Sequence, residues 1–287
     1  MSTVTFVGVG AIGLPMARRL VDAGHDTTGV DTLPAARERA AAAGVPAVGS
    51  FGEAPPAEFV IAMVATPDQL DALVTEALAG DVAGRRWVVM STVGPESVRA
   101  QAARLTEAGA AVVDVPVTGG IARAAKGELT LFAAGAPADV TAARPVLEAL
   151  GVVREVGGEV GEGQAIKVVN QHLCAIHIVA AAEALALAGA LGLDRAQVLS
   201  LVEQGAAGSF MLSDRGPRML QGTDVDVASA ISIFVKDSGL VADAAGAVGA
   251  RTPLLDVARD RYLRAADAGL TARDDSRVIE TYEEGTA

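Results

Sequence analysis

The sequence predicts an α/β protein, with a doubly wound parallel sheet in residues 1–160 and an all-helical domain in residues 161–287. Short apolar runs rich in β-branched residues alternate with alanine-rich helical patterns over the first domain. Four glycines cluster at 157–163, and beyond them strand signals nearly vanish while helical periodicity continues. The change in pattern predicts the domain boundary near residue 160.

The first domain contains strand patterns that are apolar throughout, which favours burial on both faces of a parallel sheet. These predicted strands are Val4–Val9, Asp26–Val30, Phe59–Val64, Trp87–Met90, Ala111–Val117 and Leu129–Ala133. The predicted helices between the early strands are Leu14–Ala23, Leu33–Ala43, Pro67–Ala79 and Pro95–Gly109.

The second domain is predicted to consist of helices at 163–191, 194–204, 208–221, 227–248 and 253–268. Leu173–Leu191 is about long enough to span a membrane, but it is dominated by alanine and contains His177 and Glu183, so we expect a buried core helix. Residues 270–287 are polar and charged and are expected to end in a frayed tail.

Composition and charge exclude several classes of protein. The chain of 287 residues is 51% hydrophobic and 20% charged, which excludes extensive disorder. A net charge of −12 argues against nucleic acid or an anionic membrane as a partner. The one cysteine, Cys174, cannot form an internal disulfide, no Cys/His cluster predicts a metal site, and no signal peptide is evident, so a cytoplasmic protein is expected.

A glycine motif follows the first predicted strand. Gly8, Gly10 and Gly13, with Ala11 and Ile12 before the third glycine, match the pattern G-x-G-x-x-G and open the first predicted helix. The first glycine permits a tight turn, the second lets a pyrophosphate approach the backbone, and the third lets helix and strand pack closely. The motif predicts a Rossmann domain that binds a dinucleotide; a simple turn is the alternative.

An acidic residue ends the second predicted strand. Asp31 lies eighteen positions after Gly13, where a carboxylate accepts hydrogen bonds from the adenosine ribose and repels a 2′-phosphate. The cofactor is therefore expected to be NAD rather than NADP. Asp31 also fits a helix cap, and the two roles are compatible.

Two further strand ends fit the same ligand, because parallel sheets bind ligands at their carboxyl ends. Val64 and Ala65 follow the third strand, and Thr92 follows the fourth. For Ser91-Thr92, helix capping is an equally good interpretation.

A loop at the end of the fifth strand suits a carboxylate. Thr118 offers a hydroxyl, and Gly119 and Gly120 leave backbone amides open. An ordinary turn is the alternative.

Two lysines in the helical domain are candidates for chemistry. Lys167, Asn170 and Gln171 share one face of a helix, and desolvation would favour the neutral amine that acts as a general base. A lysine that extends to solvent is the alternative. Lys236 is a candidate for cofactor contact with Asp237 as its partner, and a surface ion pair is the competing interpretation.

Five segments together resemble the β-hydroxyacid dehydrogenase family over nearly the whole chain. They are GVGAIGLPMA (8–17), STVGPES (91–97), DVPVTGGIARAAKGELTLFAAG (114–135), GEGQAIKVVNQ (161–171) and FVKDSGLV (234–241). The resemblance implies a Rossmann domain joined by a long helix to an all-helical domain for substrate binding and dimerisation, in a homodimer or homotetramer.

The resemblance also implies roles for individual residues. Lys167 is expected to be the catalytic acid/base, Lys236 and Thr92 to contact the cofactor, and Asn170 with Gln171 to place the substrate. The segment Thr118-Gly119-Gly120 is expected to hold the substrate carboxylate. Thr118 replaces the usual serine and Gln171 the usual second asparagine, and this variant is similar to the branch that oxidises a four-carbon sugar acid.

The expected function is NAD-dependent oxidation of a small hydroxy acid such as L-threonate. Reduction of tartronate semialdehyde, oxidation of 3-hydroxyisobutyrate and imine reduction are alternatives, although imine reductases usually carry Asp or Tyr where this chain has Lys167. A non-catalytic dinucleotide-binding scaffold is the alternative outside enzymes.

Overall fold

The computed structural model describes residues 1–282 and divides the chain into two compact units. The first unit is Met1–Lys167, and the second begins at Val168. The division falls inside a long helix that begins at Glu162. The boundary near residue 160 stays a prediction.

The first unit contains a sheet with helices on it. Its strands are β1 (Thr3–Val7), β2 (Asp26–Val30), β3 (Ala47–Val48), β4 (Phe59–Ala62), β5 (Arg86–Val89), β6 (Ala111–Asp114), β7 (Val117–Thr118), β8 (Leu129–Ala134) and β9 (Gly151–Gly157). Its helices are α1 (Gly13–Asp22), α2 (Pro34–Ala42), α3 (Pro67–Ala77), α4 (Pro95–Glu107), α5 (Gly120–Lys126) and α6 (Pro137–Leu147).

The sheet is parallel from β3 through β6 and mixed beyond. The strand order is β3-β2-β1-β4-β5-β6-β8-β7, and β9 pairs with β8. Strand β8 runs antiparallel to β6 and β7 but parallel to β9. The sequence predicted one strand over Ala111–Val117; the structure has two, since Pro116 has no N–H to donate within a ladder.

Apolar side chains cover both faces of this sheet, as the uniformly apolar strands predicted. Every residue of β4 is buried. One face packs around Phe6 and Leu20 and the other around Trp87 and Leu105. Burial on both faces leaves the strand ends as the exposed part of the sheet, where loops can bind ligands.

The second unit is helical. Its elements are most of α7 (Glu162–Ala190), then α8 (Arg195–Val202), α9 (Phe210–Met219), α10 (Ile231–Ala247) and α11 (Pro253–Asp267). Its core includes Ala175, Ile178 and Phe234. Tyr262 stacks on Phe234 and donates a hydrogen bond to Ala175 O at 3.0 Å, so α11 is fixed to both α7 and α10.

The polar C-terminal segment is folded as far as Tyr282, where the described residues end. Asp275–Tyr282 forms a 3₁₀ helix in which Asp275 is fully buried. Its charge is accommodated because Arg215 of α9 donates to Asp275 Oδ2 at 2.9 Å, while Arg218 pairs with Asp274 at 3.0 Å. The expected frayed end at 283–287 lies outside the described residues.

The same segment holds the start of α10. Asp274 Oδ2 accepts a hydrogen bond from Ala228 N at 2.9 Å, and Arg273 O accepts one from Ile231 N at 2.9 Å. Because α10 carries Lys236, the clamp formed by Arg273, Asp274 and Asp275 determines where that lysine's helix begins.

By length and composition, α7 is the one helix in the described chain that could cross a membrane. It carries buried polar residues at three positions, Gln164, Lys167 and Gln171, and packs Ala175 and Ile178 into the helical core. These features fit the core helix of a globular protein.

Candidate active site

The glycine loop after β1 has the geometry that its three glycines predict. Gly8 has a φ of +94°, and a Cβ there would lie 2.3 Å from Met63 O. A Cβ on Gly13 would lie 1.9 Å from Gly8 O, so α1 can approach β1 only with glycine at this position. Any side chain at either residue is therefore excluded by the backbone itself.

Gly10 differs from its two neighbours in the motif. A Cβ on Gly10 would have no protein atom within 4 Å. Ala11 and Ile12 follow, and α1 begins at Gly13 without a side-chain cap. Leu14 N donates to Gly10 O at 3.0 Å, which places the start of α1 directly against the loop. The open backbone at Gly10, next to the positive end of the helix dipole, fits the pyrophosphate of a dinucleotide.

Asp31 lies directly after β2, as predicted. Its Oδ1 accepts a hydrogen bond from Leu33 N at 2.9 Å, so the carboxylate also helps to begin α2. Arg37 donates to Asp31 O at 2.8 Å and to Thr32 O at 3.0 Å. The guanidinium is thus held by backbone carbonyls.

The ends of β4 and β5 are joined by a buried serine. Ser91 Oγ accepts a hydrogen bond from Val64 N at 2.7 Å and lies 3.2 Å from Ala62 O. Ala65 N donates to Gln69 Oε1 at 2.8 Å. Ser91 Oγ therefore makes its hydrogen bonds within the protein, and Thr92 stays the predicted cofactor contact.

The predicted carboxylate loop joins β7 to α5. Thr118 is half-buried and pairs with Thr130 of β8. Gly119 and Gly120 follow with φ of +138° and +72°, and a Cβ on Gly120 would have no atom within 4 Å. Residues with side chains rarely adopt a positive φ. The orientation of the backbone N–H groups at these two successive positions therefore depends on glycine.

Lys167 is 7% exposed, and the helical turn before it is fixed to the ends of β5 and β6. Gln164 is fully buried, and its Oε1 accepts hydrogen bonds from Val93 N at 3.0 Å and Gly94 N at 3.1 Å. Gln164 Nε2 donates to Ser91 O and to Asp114 Oδ1, both at 2.9 Å. This one amide therefore ties the helix of Lys167 to the loop of Thr92.

Asp114 completes this attachment from the end of β6. Its Oδ2 accepts hydrogen bonds from Gln164 N at 2.8 Å and Gly161 N at 3.1 Å. Gly163 permits the approach, since a Cβ there would lie 2.9 Å from Asp114 O. Sequence reasoning missed both Asp114 and Gln164; their presence in the segments at 114–135 and 161–171 was the available signal.

Burial raises the pKa of Asp114 to about 6, although hydrogen bonds from Gln164 and Gly161 act in the opposite direction and lower it. Since the folded pKa lies above the ordinary 3.8, the folded protein binds this proton more tightly than the unfolded chain. We expect this group's contribution to the free energy of unfolding to fall by on the order of 3 kcal/mol as pH rises from about 3 to about 7.

Urea denaturation of the wild type and of Asp114→Asn at a series of pH values measures this contribution. The difference between the two curves should change over that range and remain constant above it. Parallel curves from pH 4 to pH 7 would contradict the assignment.

Asn170, Gln171, Asp237 and Lys236 form a connected group in the helical unit. Asn170 Nδ2 donates to Gln171 Oε1 at 2.8 Å, and Gln171 Nε2 donates to Asp237 Oδ2 at 2.5 Å. Asp237 Oδ1 pairs with Lys236 Nζ at 2.9 Å. Asp237 is 3% exposed, so the ion pair is not the surface pair that the sequence left open.

No group of three or more potential metal ligands occurs within residues 1–282.

Two family models together match almost the entire chain. Residues 3–161 match the NAD binding domain of 6-phosphogluconate dehydrogenase. Residues 161–282 match a model described as NAD-binding of NADP-dependent 3-hydroxyisobutyrate dehydrogenase.

Individual proteins are similar over their full lengths. L-threonate dehydrogenase of Haemophilus influenzae is 34% identical over 98% of this chain and 95% of its own. A probable 3-hydroxyisobutyrate dehydrogenase of Mycobacterium bovis is 35% identical over 98% of both chains. The crystal structure of 3-hydroxyisobutyrate dehydrogenase from Salmonella typhimurium superposes with a TM-score of 0.89 at 34% identity, covering 97% of this chain and 99% of that one.

The parallel sheet and its glycine loop define a protein of the dinucleotide-binding class. The matches go further, because they cover both units and carry a common activity in their names. The chain belongs to the 3-hydroxyisobutyrate dehydrogenase-like group of the β-hydroxyacid dehydrogenase family, and it is an oxidoreductase with NAD-binding domains. The predicted family, fold class, enzyme class and NAD cofactor are thereby confirmed.

Proposed function

We propose that this protein oxidises the hydroxyl of a small sugar acid such as L-threonate, with Lys167 as the general acid/base. The observation that carries the proposal is the burial of Lys167 on a helical turn that Gln164 and Asp114 attach to the ends of two strands. A structural lysine at a helix start would extend to solvent. The attached turn instead holds the amine in a fixed position within the dinucleotide-binding unit.

A nicotinamide cofactor held at the glycine loop would supply the acceptor for the hydride on the carbon that bears the hydroxyl. Lys167 Nζ, neutral in the reactive form, accepts the hydroxyl proton and returns it to the carbonyl in the reverse reaction. Thr118, with the open backbone at Gly119 and Gly120, binds the substrate carboxylate. Asn170 orients the substrate, while Lys236, Thr92 and the strand-end residues Val64 and Ala65 contact the cofactor.

Oxidation of 3-hydroxyisobutyrate is the second candidate, because a 35% identical relative carries that name. A panel of three- to five-carbon hydroxy acids, assayed with NAD by NADH absorbance, separates the two. We expect the highest kcat/KM for a polyhydroxylated acid. A preference for 3-hydroxyisobutyrate would support the second candidate, and no turnover on any acid would contradict both.

The preference for NAD over NADP is assigned to Asp31. In Asp31→Asn, the amide oxygen can still accept from Leu33 N, so α2 keeps its start while the negative charge is removed. We expect the ratio of kcat/KM for NAD to that for NADP to fall at least about tenfold, because the charge no longer repels a 2′-phosphate. Asp26→Asn, at the exposed opposite end of β2, should leave the ratio unchanged. An unchanged ratio in Asp31→Asn would refute the assignment.

A homodimer or homotetramer is proposed from the apolar surface of the helical unit. Val169, Leu173 and Leu187 of α7 are 60%, 49% and 57% exposed, and Leu254 and Val257 of α11 are 65% and 60% exposed. Large exposed apolar side chains at this density favour burial against another subunit. Light scattering should give a mass of two or four chains, and a monomer in a dilution series would contradict the proposal. The cytoplasm is the proposed compartment.

A further inference from the structure

The amides of Asn170 and Gln171 are oriented by a charge. An amide presents either its oxygen or its NH₂ group to a neighbour, and only a partner of fixed polarity decides which. Asp237 is such a partner, because its carboxylate is held in an ion pair with Lys236 and can only accept hydrogen bonds. Gln171 must therefore present its NH₂ group to Asp237, at 2.5 Å.

The orientation of Gln171 then decides that of Asn170. With its NH₂ group on Asp237, Gln171 presents Oε1 to Asn170, whose Nδ2 donates to it at 2.8 Å. The same Nδ2 lies 3.4 Å from Cys174 Sγ, a weak acceptor one helical turn away. Both N–H bonds of Asn170 are thus directed at protein atoms, and Oδ1 is the atom of this amide without a donor among the described residues.

The reacting hydroxyl cannot satisfy that oxygen. A hydroxyl carries one proton, and under the proposed function this proton goes to Lys167. An acceptor at Asn170 therefore requires a second donor on the substrate. Without that donor, a desolvated carbonyl oxygen would lose the hydrogen bonds it makes in water.

We infer that Asn170 is an acceptor-only contact that selects acids with a second, non-reacting hydroxyl, and that Gln171 is a positioning residue that enforces this polarity. The inference rests on the proposed function and assigns the selection of a second hydroxyl to these two residues. Asparagine at position 171 would be one methylene shorter and would not span the same distance from α7 to Asp237. The glutamine is therefore the feature that connects Asn170 to the charge of Asp237.

The wild-type enzyme provides the first test through its substrates. L-threonate is compared with analogues in which hydrogen or fluorine replaces the hydroxyl at C3 or at C4. We expect one position at which both replacements lower kcat/KM by about tenfold or more, because neither hydrogen nor fluorine donates a hydrogen bond. A fluoro analogue within threefold of the parent at both positions would overturn the inference, since an acceptor would then suffice.

The second test removes the orienting amide. Gln171→Leu keeps a similar volume but frees Asn170 to present either end of its amide. We expect the hydroxyl-to-deoxy ratio of kcat/KM to fall toward one, mainly through a higher KM for the hydroxylated acid rather than a lower kcat. Gln204→Leu makes the same change at an exposed glutamine of the same unit and should keep the wild-type ratio.

The outcomes distinguish a failure of the proposed function from a failure of the inference alone. If the wild type oxidises no hydroxy acid with NAD, the proposed function fails and the inference fails with it. If L-threonate and its deoxy analogues are oxidised equally well, the inference alone fails. Should Gln171→Leu not fold, as judged by circular dichroism, the substrate series with the wild type still decides the matter.

Discussion

Lys167→Met is expected to lower turnover by at least about 100-fold while leaving NADH affinity near the wild-type value. Methionine keeps most of the lysine's volume and suits a buried position, so the helix should keep its attachment through Gln164 and Asp114. What is lost is the one amine that the proposed mechanism uses to accept the hydroxyl proton. The loss should therefore be in kcat rather than in KM.

Lys126, at the end of α5, provides the control. Lys126→Met makes the same chemical change at an exposed position outside the proposed machinery and should retain full activity. Steady-state kinetics and NADH fluorescence titration measure both variants. Turnover of Lys167→Met above half the wild-type value would refute the role of the amine.

Gly10→Val is expected to abolish NAD binding, raising its Kd at least about 100-fold, without lowering stability. The added side chain meets no protein atom within 4 Å, and Gly10 does not adopt a positive φ, so the fold has no reason to change. The same space is where the pyrophosphate must approach the backbone, and a branched side chain would occupy it. Calorimetric titration of NAD and the Tm measure the two effects separately.

Two other glycines provide controls for Gly10→Val. Gly158→Val, in an exposed loop position that is equally open, should leave both Kd and Tm unchanged. Gly13→Val should lower the Tm or prevent folding, because its Cβ would collide with Gly8 O. If Gly10→Val bound NAD normally, the cofactor could not lie on this loop.

Sequence alone predicted the parts of the site that short segments determine. Six consecutive residues determine the geometry of the glycine motif. Asp31 and Thr92 are predicted by the rule that ligands bind at the carboxyl ends of parallel strands. The core helices of the second unit were equally accessible, because a 3.6-residue period needs no knowledge of what the helix packs against.

The rest depended on pairings that are distant along the chain. Gln164 and Asp114 are 50 residues apart, and Gln171 and Asp237 are 66 apart. No local pattern distinguishes a glutamine that faces a substrate from one that faces a buried carboxylate. The sequence assigned Gln171 to the substrate, and this assignment stays a prediction; the contacts of its amide with Asp237 and Asn170 could not be predicted. For the same reason, the polar composition after residue 270 did not reveal that Asp275 is buried, with Arg215 balancing its charge inside the unit.

The clamp that starts α10 has a consequence for biosynthesis. A ribosome releases the chain from its first residue onward, so the sheet and its glycine loop are complete long before the last helices emerge. The backbone that holds Ile231 belongs to Arg273, and the carboxylate that balances Arg215 belongs to Asp275. A nascent chain halted before residue 273 would hold a folded nucleotide-binding unit and a helical half in which Arg215 and Arg218 share Asp214 alone. We therefore expect premature termination near the 3′ end of the message to yield a product that is destroyed by proteases rather than a partly active enzyme.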